Sequence, residues 1–266
     1  MNRSYRLVAG AFAGVVAASV ILTGCSSSDD SGSSSTTAAS DSAAKSTLDA
    51  AATATEALTG AHIVLSIDGK LQSLNATKVE ADVETKPELK GKGRTTLNMG
   101  NRTTEAPFVY IDGKLYADVA DKGYQDYGDG RSIYDVSKIL DSKNGVPAIL
   151  RALQGANKAG TETVNGVETT KITGTVSGKD LAGLASTPST GELADATYDA
   201  TVFVTNDGKN NVARVVVSPA KDATLTVDIS KWGQKVDVTK PKNVEAPTAK
   251  PKSTTSGETP REKTGS

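Results

Sequence analysis

The chain has one cysteine, one histidine and one tryptophan in 266 residues. A single cysteine forbids an intramolecular disulfide, and a single histidine excludes His-rich zinc sites. Aromatic residues make up only 4% of the chain, sparse for a surface that stacks bases or sugars. Charge is balanced, with 30 Lys plus Arg against 31 Asp plus Glu. A nucleic-acid binder carries a basic excess or stripe instead, so no nucleic acid is expected as a partner. The P-loop, the dinucleotide fingerprint and the G-x-S-x-G elbow of serine hydrolases are missing. No metal and no cofactor are therefore expected, and the chain does not read as an enzyme. Paired carboxylates for glycoside hydrolysis need only proximity in space, so sequence alone leaves that chemistry open.

Three spots carry residue types that could do chemistry. His62 opens an alternating run beside Ala61, where a solvated polar residue is the ordinary reading. The stretch from Asp118 to Asp135 holds five Asp, but their spacing does not match an EF-hand loop. It reads as a polar hairpin or loop capping the next helix. Gly91-Lys92-Gly93 lacks the third glycine of a phosphate-binding loop and reads as a turn.

What is present begins at the N-terminus. Arg3 and Arg6 precede an uncharged stretch from Leu7 to Gly24, the pattern of a secretory signal peptide. At 18 residues this stretch is at the short end for a membrane span, which needs about 20. Leu22-Thr23-Gly24-Cys25 matches the lipobox of bacterial lipoproteins, which makes Cys25 the expected acylation site and the new N-terminus. The expected location is exported, lipid-anchored at the outer face of the cytoplasmic membrane or in the cell envelope. Two or three acyl chains hold a protein stably where one would not.

Residues 25–42 follow as a lipidated tether. Eleven of the 17 residues from 26 to 42 are Ser or Thr, and none is large and apolar, so the segment cannot offset its ordering entropy. At the other end, residues 241–266 carry four Pro, mixed charges and Val244 as the one large aliphatic residue, and read as a disordered tail.

Residues 43–240 remain, enough for one domain with a substantial core. An Ala-rich helix is expected from 43 to 58, with Leu48, Ala51, Ala52, Thr55 and Leu58 on one stripe and Gly60 as its stop. Short alternating runs follow. Ile63, Leu65 and Ile67 lie on one side of one strand; Leu225, Val227 and Ile229 lie on one side of another. Three hairpins are signalled by Asp112-Gly113, Asn165-Gly166 and Asn206-Asp207-Gly208. Val236 and Val238 make a last short strand. Helices are expected at Ser132–Leu140, Val146–Gln154 and Lys179–Ser186, with Pro147 in the first turn of the second. Hairpins make antiparallel sheet, and alternation buries one face. The fold class is α+β: one large twisted antiparallel sheet covered on one side by helices.

Several segments carry a family resemblance. They are Phe108-Val109-Tyr110-Ile111-Asp112-Gly113-Lys114-Leu115-Tyr116; Ser132-Ile133-Tyr134-Asp135-Val136-Ser137 with Leu140 and Asp141; Gly166-Val167-Glu168-Thr169-Thr170-Lys171-Ile172-Thr173-Gly174; and Trp232-Gly233-Gln234-Lys235-Val236 with Thr239-Lys240-Pro241. In consistent order over most of 43–241, the chain resembles the LppX/LprAFG family of mycobacterial lipoproteins, especially its LprA and LprF branches. The resemblance implies a U-shaped half-barrel sheet with helices on its concave face around an apolar cavity for multi-acyl lipids or glycolipids. It implies a non-enzymatic carrier that binds an acylated lipid or glycolipid and helps carry it across the envelope. The family has no short ligand motif, so no ligand residue transfers individually. Ile63, Leu65, Ile67, Leu225, Val227 and Ile229 are the candidates for cavity lining, and serve equally well as plain core. The competing function is an interaction or signalling lipoprotein that contacts a membrane sensor or wall component, with an envelope protein as partner.

Overall fold

The computed structural model describes residues 41–69, 76–99, 101–130, 135–185, 192–220 and 223–245, all within the unit Thr37–Ser266. The expected signal peptide, Cys25, most of the expected tether and residues 246–266 lie outside the described residues.

Helix α1 (Ser42–Glu56) starts where Asp41 caps it, its carboxylate accepting from the Ala43 N–H at 2.9 Å. Ala44, Leu48, Ala51, Ala52 and Thr55 are its buried stripe, and Leu58 packs beside the core just past its end. The chain then runs through β1 (Gly60–Gly69), β2 (Ala76–Glu84), β3 (Lys90–Met99), β4 (Arg102–Ile111), β5 (Lys114–Ala117) and β6 (Gln125–Asp126). A 3-10 helix (Val136–Leu140) and α2 (Val146–Ala152) follow, then β7 (Gln154–Val164) and β8 (Val167–Ser177). Short helices α3 (Gly178–Ala185) and α4 (Glu192–Asp195) precede β9 (Thr197–Thr205), β10 (Val212–Ala220) and β11 (Ala223–Ser230).

All eleven strands form one antiparallel sheet in the order β6-β5-β4-β3-β2-β1-β11-β10-β9-β8-β7. Two meanders meet at its centre, where the first strand pairs with the last. The sheet is not closed; it is a half-barrel, as expected. The connection carrying the 3-10 helix and α2 leads from the β6 edge to the β7 edge and lies on the same face as α1 and α3. There α1 packs on α2, β7, β9 and β10, while the 3-10 helix reaches β2. Leu48, Ile149, Leu150, Leu181 and Leu184 bury their side chains against the inner face of the sheet.

All three expected hairpin turns form. Asp112 and Gly113, and likewise Asn165 and Gly166, both have positive φ, the geometry of a two-residue turn whose twist matches its strands. The helix expected over 132–140 is a 3-10 helix in its second half, and 131–134 lie outside the described residues. α2 ends at Ala152, because Gln154 is already paired in β7.

Two expectations are corrected. Gly91 and Gly93 do not form a turn; they sit inside β3. A Cβ on Gly93 would collide with the Glu80 carbonyl and come within 2.9 Å of the Ala81 Cα. Glycine is required there because two backbones approach closely. The second correction concerns 231–245. Val236 and Val238 belong to no strand. The segment is an extended strap along the end of the sheet. Gly233 N–H donates to the Gly60 carbonyl at 2.7 Å and Val236 N–H to the Glu84 carboxylate at 2.8 Å. Residues 241–245 are not loose: Glu245 N–H donates to the Tyr124 carbonyl at 2.9 Å and Glu245 bridges to Gln125.

Candidate functional site

Directly paired residues in an antiparallel sheet point to the same face, so register sorts every side chain. Ile63 pairs with Ile229, Leu65 with Val227 and Ile67 with Leu225. The six candidate residues therefore form three cross-strand pairs on the inner face. Five are at most 2% exposed, beneath the helices; Ile67 is half-buried at the edge of the cluster. The same row continues from Val227 through Val215 and Val202 to Ile172, all buried.

The other half of the inner face is different. On β3 and β4 the inward positions are Gly91, Gly93, Thr95, Leu97 and Met99, opposite Tyr110, Phe108, Ala106, Thr104 and Arg102. Here Phe108, Tyr110, Leu97 and Thr104 are only half-buried. Small residues alternate with aromatic ones: Phe108 lies between Gly93 on one side and Ala117 on the other. The result is an apolar track along β3 and β4. One end opens into a cleft of about 430 Å³ lined by Glu88, Leu89, Tyr110, Asp112 and Gly113. Met99, 55% exposed, stands at the other end. A half-open track of this kind, on which Phe108, Tyr110 and Leu97 present apolar surface, suits an elongated apolar ligand better than a small polar one.

Sequence reasoning missed this track. The β3 segment KGKGRTTLNM shows no apolar alternation because its inward residues begin with two glycines and a threonine. The usable signal was the Gly91 and Gly93 spacing of two, one per inward position.

The outer face holds a cluster of titratable residues around His62. His62 Nδ1 is 2.8 Å from Asp82 Oδ1, and its Nε2 lies 4.0 Å from Glu80 Oε1. Both ring nitrogens thus face carboxylates. Although Ser230 is opposite His62 in register, the imidazole is held by acids and not by a hydroxyl. Asp82 also accepts from Gln234 Nε2 at 2.8 Å. Burial works to raise the Asp82 pKa, but the hydrogen bonds from Gln234 and His62, with Lys231 nearby, hold it below the ordinary range. Glu84 is likewise lowered, first by the Val236 N–H and then by Lys90 against the opposing effect of burial. These groups fasten the strap to β1 and β2.

Carboxylates of the Asp118–Asp135 stretch serve as local caps. Asp118 accepts from Gly123 N–H and Asp126 from Gly128 N–H, while Asp126 also pairs with Lys114 at 2.8 Å. Asp135 caps the 3-10 helix through Ser137. Among the described residues no cluster of three or more His, Cys, Asp or Glu side chains could hold a metal ion.

Comparison with known proteins adds to this geometry. The profile of the LppX_LprAFG lipoprotein family matches residues 43–238. The chain is 40% identical over 195 residues to lipoprotein LprA of Mycobacterium tuberculosis, covering 73% of this chain and 80% of that one. It is 31% identical over 229 residues to the lipoarabinomannan carrier protein LprG of Mycobacterium bovis BCG, covering 86% and 93%. The crystal structure of LprF from Mycobacterium bovis superposes with a TM-score of 0.68 at 21% identity, covering 76% of this chain and 98% of that one. LppX of Mycobacterium tuberculosis superposes with a TM-score of 0.58 at 27% identity, covering 75% and 100%. Of these, LprA and LppX are named as lipoproteins and LprG as a lipoarabinomannan carrier protein.

Proposed function

Because the chain belongs to the LppX_LprAFG lipoprotein family, we propose that it is an acylated carrier that shelters the fatty chains of a lipid or glycolipid against the inner face of its half-barrel. Cys25 holds it at the outer face of the cytoplasmic membrane, and it ferries its cargo into the envelope. The observation that carries this reading is the half-open apolar track along β3 and β4, with Phe108 and Tyr110 at inward positions opposite glycines. Each acyl CH₂ removed from water gains about 0.8 kcal/mol, so only a comparably dry surface can hold a chain drawn from a bilayer. Of the six candidates, Ile67, half-buried at the edge of the cluster, is the one read as touching such a chain. The other five are read as the packed floor beneath the helices.

The test is mass spectrometry of organic extracts from the Cys25→Ala protein made in its own host. A diacyl or triacyl species at about one per protein is the expected result. A protein recovered empty under these conditions sinks the carrier reading and favours an interaction lipoprotein.

A further inference from the structure

One end of the sheet carries both the entry of the N-terminal tether and an exposed apolar side chain. Asp41 N–H donates to the Ala156 carbonyl at 2.8 Å, so the chain arriving from residues 26–40 joins the domain at the first residues of β7. Register follows that end across the sheet. Gln154 lies opposite Thr175, and Thr175 opposite Asp199. Ala220 lies opposite Ala223, and Ala223 opposite Gly69. Ala76 is opposite Leu97, and Met99 opposite Arg102. Among the described residues, Met99 is the large hydrophobic side chain that stands exposed, at 55%. Behind it on the inner face, Leu97 and Ile67 are half-buried, and Arg102 across the ladder is exposed.

The geometry points to this end as a surface that docks on a phospholipid bilayer, with Met99 entering the interface and Arg102 meeting lipid phosphates. The inference rests on the carrier reading and on the Cys25 anchor. The 15 residues from 26 to 40 are rich in Ser and Thr, and a chain of that length and composition has an r.m.s. reach of about 19–23 Å. Strands of ten residues are about 33 Å long. Setting the opposite end on the membrane would stretch the tether past its mean reach, whereas the tether end lies within it. Docked this way, the apolar track meets the leaflet at its Met99 end, and an acyl chain passes between bilayer and sheet without crossing water. Methionine suits the task, being unbranched, flexible and apolar.

The acylated full chain is held by its own anchor on phosphatidylglycerol and phosphatidylethanolamine vesicles. Met99→Cys, or Lys209→Cys in the β9–β10 turn at the opposite end, carries a thiol-linked fluorophore, and brominated acyl chains act as quencher. Quenching at position 99 is expected to exceed that at 209 by about threefold or more, as for a side chain at the acyl boundary. Equal quenching, or more at 209, overturns the docking. If Cys25 proves unmodified, the same comparison is made on Cys25→Ser protein at excess vesicles and decides in the same way. Independently, Met99→Glu should slow transfer of a fluorescent phospholipid between vesicles by about tenfold per lipid held. Met99→Gln should give a smaller slowing in the same direction. An unchanged rate in both variants overturns the docking. A protein whose organic extracts from its own host hold no acylated lipid, yet which shows the quenching difference, overturns the carrier reading and leaves the docking standing.

Discussion

The Val236 N–H donates to the Glu84 carboxylate at 2.8 Å, joining positions 152 residues apart in the chain. Glu84 is buried and also pairs with Lys90 at 3.2 Å. This contact, with Gly233 on Gly60 and Gln234 on Asp82, fastens the strap across the ends of β1 and β2.

Acid should loosen the strap. The Glu84 and Asp82 pKa values are both lowered in the folded protein, the first chiefly by the Val236 N–H and the second by Gln234 and His62 against burial. A lowered folded value means that stability is fully present above the unfolded value, about 4 for carboxylates, and is lost as pH falls through the folded value. Trp232 begins the strap, its indole N–H donating to the Val212 carbonyl at 3.0 Å, and is the one tryptophan. Its emission should therefore shift below about pH 4. Glu84→Gln should shift the emission at neutral pH and weaken the acid response. An identical acid profile in the variant would show that Glu84 does not hold the strap.

Gly93→Ala should cost about 2 kcal/mol or more, since the added Cβ meets the backbone of β2 and not a movable side chain. Urea unfolding measures it. A neutral result would mean that β2 and β3 separate easily at this point. Gly113, which has open space around its Cβ position but φ of +71°, should lose less, about 1 kcal/mol.

Leu225→Ala separates packed floor from ligand lining. Leu225 is 1% exposed and belongs to the main buried cluster. If side chains surround it, truncation costs about 2–5 kcal/mol. A loss below about 1 kcal/mol would place it beside empty or lipid-filled space.

Thr104→Trp tests the track. Thr104 is half-buried at an inward position of β4 opposite Leu97. A large ring there should keep the fold and lower co-purified lipid by half or more, about the effect of filling part of a preformed site. Full lipid content with normal unfolding would move the acyl chains elsewhere.

Much of the fold was legible because its signals are local. Asp112-Gly113 and Asn165-Gly166 both become the tight turns that such pairs specify, and the alternation in β1 and β11 placed Ile63 and Ile229 correctly on one face. The helix stripe at Leu48, Ala51, Ala52 and Thr55 is the buried one. What failed to show was decided by distant chain. Gly91-Lys92-Gly93 of β3 reads as a turn because its inward residues are glycines, and only the closeness of β2 explains them. The strap has a strand's composition at Val236 and Val238, yet its amides bond to a side chain and to a loop carbonyl instead of a ladder. The six residues chosen for a cavity were legible as one face. That five of them are buried and Ile67 only half-buried depends on where the helices lie, which no local pattern encodes.

The central pairing of β1 with β11 also dictates how the molecule must assemble. Partners such as Ile63 and Ile229, or Gly69 and Ala223, stand between 154 and 168 positions apart. Joining ends that far apart costs about 4–5 kcal/mol of loop-closure entropy before any contact is gained. Each meander can zip by itself from its own hairpins, but the two can merge only after the last strand has been synthesised. Folding should therefore be slow for a chain of this size, with a late step in which two preformed halves lock together.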